Sequence, residues 1–122
     1  MKRLILGVLL VTVTTALPQA QAASATIKGY VIDSACLFIK NLGKPISKEC
    51  ALNCAKAGSP LVILADDGTI YLPISSEMPA TGQNERLMKF AGDKVIIRGK
   101  VFERGGAHAL VIEEINAAPA AK

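Results

Sequence analysis

Hydrophobic residues fall into short runs along the chain, separated by glycine, proline and acidic pairs. Runs rich in β-branched and aromatic residues predict five strands: Thr26–Asp33, Leu61–Ala65, Thr69–Leu72, Lys94–Phe102 and Ala107–Ile115. Gly29, inside the first run, predicts a bulge or bend. Asp66-Asp67-Gly68 and Arg104-Gly105-Gly106 join neighbouring runs and predict two hairpin turns.

Two segments between these runs have helical signals. Ser47 is a suitable N-cap for a helix over Lys48–Ala57, and Gly58 and Pro60 would end it. Apolar residues at helical spacing, followed by Gly92, predict a second short helix over Asn84–Ala91. The resulting order of elements predicts a mainly β fold, a five-stranded OB-fold-like barrel. A Cys-bearing helix lies between its strands one and two, and the second helix lies between strands three and four.

The first 22 residues have the three parts of an export signal. Lys2 and Arg3 are basic, Leu4 to Leu17 is apolar, and Ala20-Gln21-Ala22 is a small-x-small cleavage site. The apolar run of about 14 residues is shorter than the roughly 20 that span a bilayer. We therefore predict a cleaved signal peptide at 1–22, a single domain at 23–116 and a disordered tail at 117–122, with the protein in the periplasm or outside the cell.

The leader also accounts for part of the positive charge. The whole chain has a net charge of +4, and without Lys2 and Arg3 twelve basic residues face ten acidic ones. So small a net charge, spread along the chain, argues against binding to nucleic acid or to a membrane surface. A mature chain of about 100 residues buries a single modest core, which excludes a second domain.

Three cysteines, Cys36, Cys50 and Cys54, are the main chemical signal. Export to an oxidising compartment favours a disulfide, and an odd count leaves one thiol unpaired or able to link two chains. Cys50 and Cys54 are one helical turn apart, where Cβ atoms are about 5–6 Å from each other, whereas a disulfide needs about 3.5–4.5 Å. We therefore expect Cys36 to pair with either Cys50 or Cys54, and the residues leave that choice open.

The same three cysteines are also a candidate metal site. Three thiolates suit a soft ion such as Cu(I), whereas Zn(II) would require a fourth ligand. His108 is the single histidine, and nothing in the sequence brings it near the cysteine helix.

Enzymatic signals are weak. Cys-x3-Cys lacks the two-residue spacing of thioredoxin-like motifs, and a nucleophilic cysteine has no base nearby in sequence. Asp66 and Asp67 are adjacent carboxylates, but with Gly68 they form a typical turn sequence. No residue is predicted to be catalytic or to bind an organic cofactor. With three phenylalanines, two tyrosines and no tryptophan, Tyr30 and Tyr71 are the candidate ligand surface.

Four motifs follow one another along the chain: Gly29 to Cys36 (GYVIDSAC), Cys50-x3-Cys54-x3-Gly58, Gly68-x2-Tyr71 and Phe90-Ala91-Gly92-x2-Val95-x3-Gly99. They resemble an uncharacterised family of small exported bacterial OB-fold-like domains with an Asp-Ser-x-Cys and Cys-x3-Cys signature. The resemblance extends from about Ile27 to Ile115 and implies an exported barrel. It implies no activity, because the family is uncharacterised. In that family a histidine usually follows the first cysteine, whereas Leu37 to Asn41 contain none.

Taken together, the sequence predicts an exported, non-enzymatic barrel that binds an unknown small ligand or envelope protein. A disulfide from Cys36 to the Cys50/Cys54 helix would stabilise it. The alternative is a thiol protein that uses Cys36, Cys50 and Cys54 to bind a soft metal ion or for thiol redox chemistry.

Overall fold

Five strands form a closed barrel in the computed structural model, which describes residues 13, 22–40 and 46–120. The strands are β1 (Ala23–Asp33), β2 (Leu61–Ala65), β3 (Ile70–Pro73), β4 (Lys94–Arg104) and β5 (Ala107–Ala117). Their order around the barrel is β1-β2-β3-β5-β4. Only β3 and β5, among these pairs, run parallel. The predicted mainly β, five-stranded barrel with short helices is confirmed.

Closure of the barrel depends on β1, which pairs with strands on both sides. Residues 23–30 pair with β4 and residues 29–33 pair with β2. Gly29 lies in the overlap, opposite Ala65 on one side and Val95 on the other. A Cβ atom at Gly29 would lie 2.7 Å from Ala65 Cα. The strands therefore approach each other here more closely than any side chain would allow.

Alternate strand residues fill the barrel. The main core cluster includes Val31, Ile63, Val95, Ile97 and Leu110, each with no exposed surface. Burying a side chain of this kind contributes about 1.5–3 kcal/mol. The opposite face of β1 and β2 forms a second cluster, in which Ile32 and Val62 pack with Ile46. Both faces of this strand pair are thus covered, and its β2 strand is a nearly continuous apolar run.

The described part of the chain also contains three short helices: α1 (Ser34–Ile39), α2 (Lys48–Lys56) and α3 (Asn84–Leu87), the last followed by a 3₁₀ turn at Met88–Phe90. The sequence predicted α2 to within one residue. It predicted a single helix over Asn84–Ala91, where the structure has α3 and the 3₁₀ turn. That segment ends early because Ala91 is extended and forms a parallel bridge to Val31, while the Gly92 amide donates to the Val31 carbonyl.

Asn84 joins α2, β2 and α3. Its Oδ1 accepts from the Leu61 amide at 2.8 Å, and its Nδ2 donates to the carbonyls of Ser59 at 2.8 Å and Ala55 at 3.3 Å. Ala51 and Ala55 face the barrel and are buried. At the other end of α2, Lys48 forms an ion pair with Asp93 at 3.1 Å. These contacts hold α2, and with it two of the cysteines, against the barrel.

The last strand ends close to the C-terminus of the chain. β5 continues to Ala117, and the Ala118 amide donates to the Lys94 carbonyl at 2.8 Å. The predicted signal peptide lies outside the described residues except for Val13 and Ala22. Among the helices of the described residues, none has both the length and the apolar character needed to cross a membrane.

Candidate metal centre

Helices α1 and α2 bring all three cysteines together. The Sγ atom of Cys36 lies 3.0 Å from that of Cys50 and 3.9 Å from that of Cys54. All three Sγ atoms lie within 4.8 Å of one another. We call these residues the thiol trio. No disulfide links them, so the predicted bond from Cys36 to Cys50 or Cys54 is not formed in this structure.

Two helix caps position the trio. Asp33 is the N-cap of α1, and its Oδ1 accepts from the Cys36 amide at 2.8 Å. Ser47 is the N-cap of α2, as predicted, and its Oγ accepts from the Cys50 amide at 3.2 Å. Each cap thus binds the backbone of a cysteine in the first turn, the usual site of such a bond. Cys54 follows Cys50 one turn later on the same face.

Solvent reaches the trio from one side. Cys36 is buried, whereas Cys50 and Cys54 are half-buried. The latter two line a surface cavity of about 320 Å³ together with Ser47, Glu49 and Asn53. A small ion can therefore reach the sulfur atoms without opening the barrel.

Cys36 and Cys54 hold their protons when no ion is present. The hydrogen bond with Cys50, burial and the neighbouring Asp33 raise the pKa of the Cys36 thiol to about 12. At Cys54 the hydrogen bond with Cys36 lowers the pKa, but burial and the charges of Asp33 and Cys50 outweigh it, and the pKa of Cys54 is raised. Cys36 is therefore a thiol, not a thiolate, at neutral pH.

Asp33 lies beside the trio and was missed as a site residue from the sequence. It has no exposed surface, and its Oδ2 atom is buried without a hydrogen-bond partner among the described residues. Burial raises the pKa of its carboxyl, but the Ser59 hydroxyl, the Cys36 amide and the thiols of Cys36 and Cys54 together lower it below the usual range. The site therefore contains an ionised carboxylate next to two thiols.

One sequence signal could have identified Asp33 as a residue of the site. Asp33 ends a β-branched run and stands three residues before Cys36, the spacing of an N-cap and the amide that it accepts from. The sequence interpretation read Asp33 as the last strand residue, which it is, and did not extend a helix from it. Helix α1 and the carboxylate at its start were overlooked for the same reason.

The other candidate residues lie elsewhere. His108 is not a member of the trio's ligand group; its Nδ1 lies 3.2 Å from Glu103 Oε1, and its ring packs edge-on against Tyr71. Tyr71 packs against the main core, whereas Tyr30 packs against the second cluster on the other face of the sheet. The two tyrosines line different cavities, so the structure does not unite them in one surface.

We predict that Cys36 is nearly inert to alkylation in the reduced, metal-free protein. Because alkylation requires the thiolate, a pKa of about 12 should slow iodoacetamide at pH 8 about 1000-fold relative to the same cysteine in the unfolded chain. Mass spectrometry of timed samples, with and without urea, measures each site. Equal rates for Cys36 in the folded and unfolded protein would contradict the prediction.

Comparisons with known proteins identify no relative. The chain matches no protein-family model, no curated protein and no solved structure.

Proposed function

We propose that the protein binds a soft or borderline metal ion through Cys36, Cys50 and Cys54. The observation that supports this most directly is the convergence of three Sγ atoms within 4.8 Å. Thiolate ligands select ions such as Cu(I) and Zn(II). With metal–sulfur bonds of about 2.3 Å, sulfur atoms around one ion lie about 3.8–4.0 Å apart. The 3.9 Å between Cys36 and Cys54 matches that value, whereas Cys36 and Cys50, at 3.0 Å, would have to separate by about 0.8–1.0 Å.

The protons held by Cys36 and Cys54 give this function a pH dependence. A metal ion binds thiolates, so it must displace the proton from each thiol that it engages. Because the pKa values of Cys36 and Cys54 are raised, these protons are present throughout the neutral range. The apparent affinity should therefore rise with pH and fall on acidification, and the rise should continue to a higher pH than for thiols with ordinary pKa values.

The proposal is tested by metal titration of the reduced protein. We expect one Zn(II) or one Cu(I) per chain, measured by competition with a chromophoric chelator under anaerobic conditions, and release of protons on binding. A triple variant, Cys36→Ser, Cys50→Ser and Cys54→Ser, should bind neither ion. Glu49→Gln is the matched control, because Glu49 lines the same cavity without belonging to the trio. Identical binding by the wild type and the triple variant would refute the proposal.

A second candidate is a disulfide-stabilised binding domain or thiol redox protein. Its disulfide would join Cys36 to Cys50, because their Sγ atoms are 3.0 Å apart, whereas those of Cys36 and Cys54 are 3.9 Å apart. Binding of a small apolar ligand is supported by a surface cavity of about 580 Å³ that includes Phe38, Ile70 and Leu72. Export, as the leader indicates, would place the protein where such a bond persists. This second candidate leaves one of the three thiols without a role.

Mass spectrometry of the protein purified without reductant separates the two candidates. Three free thiols with one bound ion favour the metal site. A disulfide between Cys36 and Cys50, with Cys54 free and no ion, favours the second candidate. A chain-to-chain disulfide through one cysteine would contradict the metal site in a monomer.

A further inference from the structure

We infer that Asp33 supplies a fourth ligand to the thiol trio through Oδ2, and that this carboxylate strengthens the binding of a divalent ion of the Zn(II) class more than it strengthens the binding of Cu(I). This inference rests on the proposed metal-binding function and specifies its ligand set. Zn(II) in protein sites takes four ligands, among which carboxylate oxygens are common, whereas Cu(I) is satisfied by three sulfur atoms.

The first argument is the unused oxygen of Asp33. Oδ1 is occupied by the Cys36 amide, while Oδ2 is buried and has no partner among the described residues. A buried polar atom without a partner costs free energy, so such atoms in folded proteins usually have a function or a missing ligand. A cation bound to the trio would supply that partner.

The second argument is charge. Three thiolates and one carboxylate carry four negative charges; a monovalent ion leaves three of them uncompensated, and a divalent ion leaves two. Because Asp33 has no exposed surface and Cys36 is buried, water screens these charges poorly. The second positive charge is therefore worth more here than at an exposed thiol site, and it favours Zn(II).

The carboxylate of Asp33 can serve as a cap and as a ligand at the same time. A carboxylate has two oxygens, so Oδ1 can keep its bond to the Cys36 amide while Oδ2 binds the ion. Asp33 is not among the groups whose ligand atoms already lie within 4.8 Å of one another. The carboxylate must therefore move toward the ion as it binds, to the usual distance of about 2.0–2.2 Å.

Replacing Asp33 with asparagine tests the inference. Asp33→Asn keeps the size and the cap acceptor and removes the charge. We expect the Zn(II) affinity to fall about 100-fold while the Cu(I) affinity changes by less than about threefold. With Co(II) as a spectroscopic probe, the wild type should give tetrahedral d–d bands, and these should shift or weaken in the variant.

Two further variants separate ligation from folding. Asp33→Ser also preserves an N-cap acceptor and should show the same loss of Zn(II) affinity if the charge of Asp33 acts on the ion. Asp93→Asn is the control, because Asp93 is a half-exposed carboxylate paired with Lys48 of the same helix α2, and both affinities should be unchanged. Thermal unfolding of each metal-free protein reports the structural cost of the substitution.

Three outcomes would overturn the inference. One is an unchanged Zn(II) affinity and Co(II) spectrum in Asp33→Asn. Another is an equal loss of Zn(II) and Cu(I) affinity, which would show that Asp33 only maintains the structure of α1. Failure of the wild type to bind either ion would refute the proposed function itself, and with it the fourth ligand.

Discussion

Replacing Cys36 with serine is expected to lower the Zn(II) affinity of the reduced protein about 1000-fold. Apparent binding free energies of structural zinc sites are about 10–16 kcal/mol for four ligands, so one thiolate contributes several kcal/mol. Serine has nearly the same shape but does not ionise at neutral pH, and its oxygen is a poor ligand for a soft ion.

Cys36 should be the most sensitive of the three positions. It comes from α1, whereas Cys50 and Cys54 both come from α2, and it is the thiol in hydrogen-bonding contact with both of the others. Without it, the two cysteines of one helix cannot surround an ion. Cys50→Ser and Cys54→Ser should each lower the affinity by a smaller factor, since each leaves thiols on both helices.

Chelator competition under anaerobic conditions measures these affinities. Ala35→Ser is a suitable control, because it adds the same hydroxyl at an exposed position of α1 and should leave binding unchanged. The unfolding temperature of metal-free Cys36→Ser shows whether the buried hydroxyl disturbs the fold. If Cys36→Ser binds Zn(II) as tightly as the wild type, Cys36 is not a ligand.

Replacing Gly29 with alanine should destabilise the barrel by about 3 kcal/mol. The added Cβ atom would meet the carbonyl oxygen of Leu64, and it would lie 2.7 Å from Ala65 Cα and 2.8 Å from the Leu64 carbonyl carbon. These are backbone atoms of β2, so no side-chain rotation can relieve the collision. The strands must separate at the point where β1 pairs with both β2 and β4.

Denaturant unfolding of the metal-free protein checks this second prediction. For a domain of this size, a loss of about 3 kcal/mol also lowers the midpoint of thermal unfolding by roughly 15 °C. Gly82→Ala is the matched control, since no atom lies within 4 Å of a Cβ there and the change should stay within about 0.5 kcal/mol. Equal stability of the Gly29 and Gly82 variants would argue against the close approach of β1 and β2.

The strands were predictable because their signals are local. β-branched runs mark β2, β4 and β5, and the turns at Asp67-Gly68 and Gly105-Gly106 contain glycines with positive φ, which few other residues adopt. The N-cap of α2 was predictable for the same reason, since Ser47 and Cys50 are three residues apart. Helix α1 was not, because Asp33 belongs to a strand pattern and to a cap at once.

The geometry of the candidate site could not be predicted from local sequence signals. Helical spacing was enough to predict that Cys50 and Cys54 do not form a disulfide with each other. It could not show which of the two Cys36 approaches. That distance depends on how α1 and α2 pack against each other, which involves residues far apart in the chain. The same limit applies to Tyr30 and Tyr71, whose separation follows from the register Tyr30–Leu64 and Ile63–Tyr71 across β2.

Sequence by itself determined the elements of this protein: the strand runs, their turns, the cap of α2 and the one-turn spacing of Cys50 and Cys54. Each depends on contacts between residues only a few positions apart. Tertiary structure alone decided the parallel contact of β3 with β5, the approach of Cys36 to Cys50 and the burial of Asp33 beside the trio. Those features arise because closing the barrel and packing α1 against α2 place distant residues together and exclude water from between them.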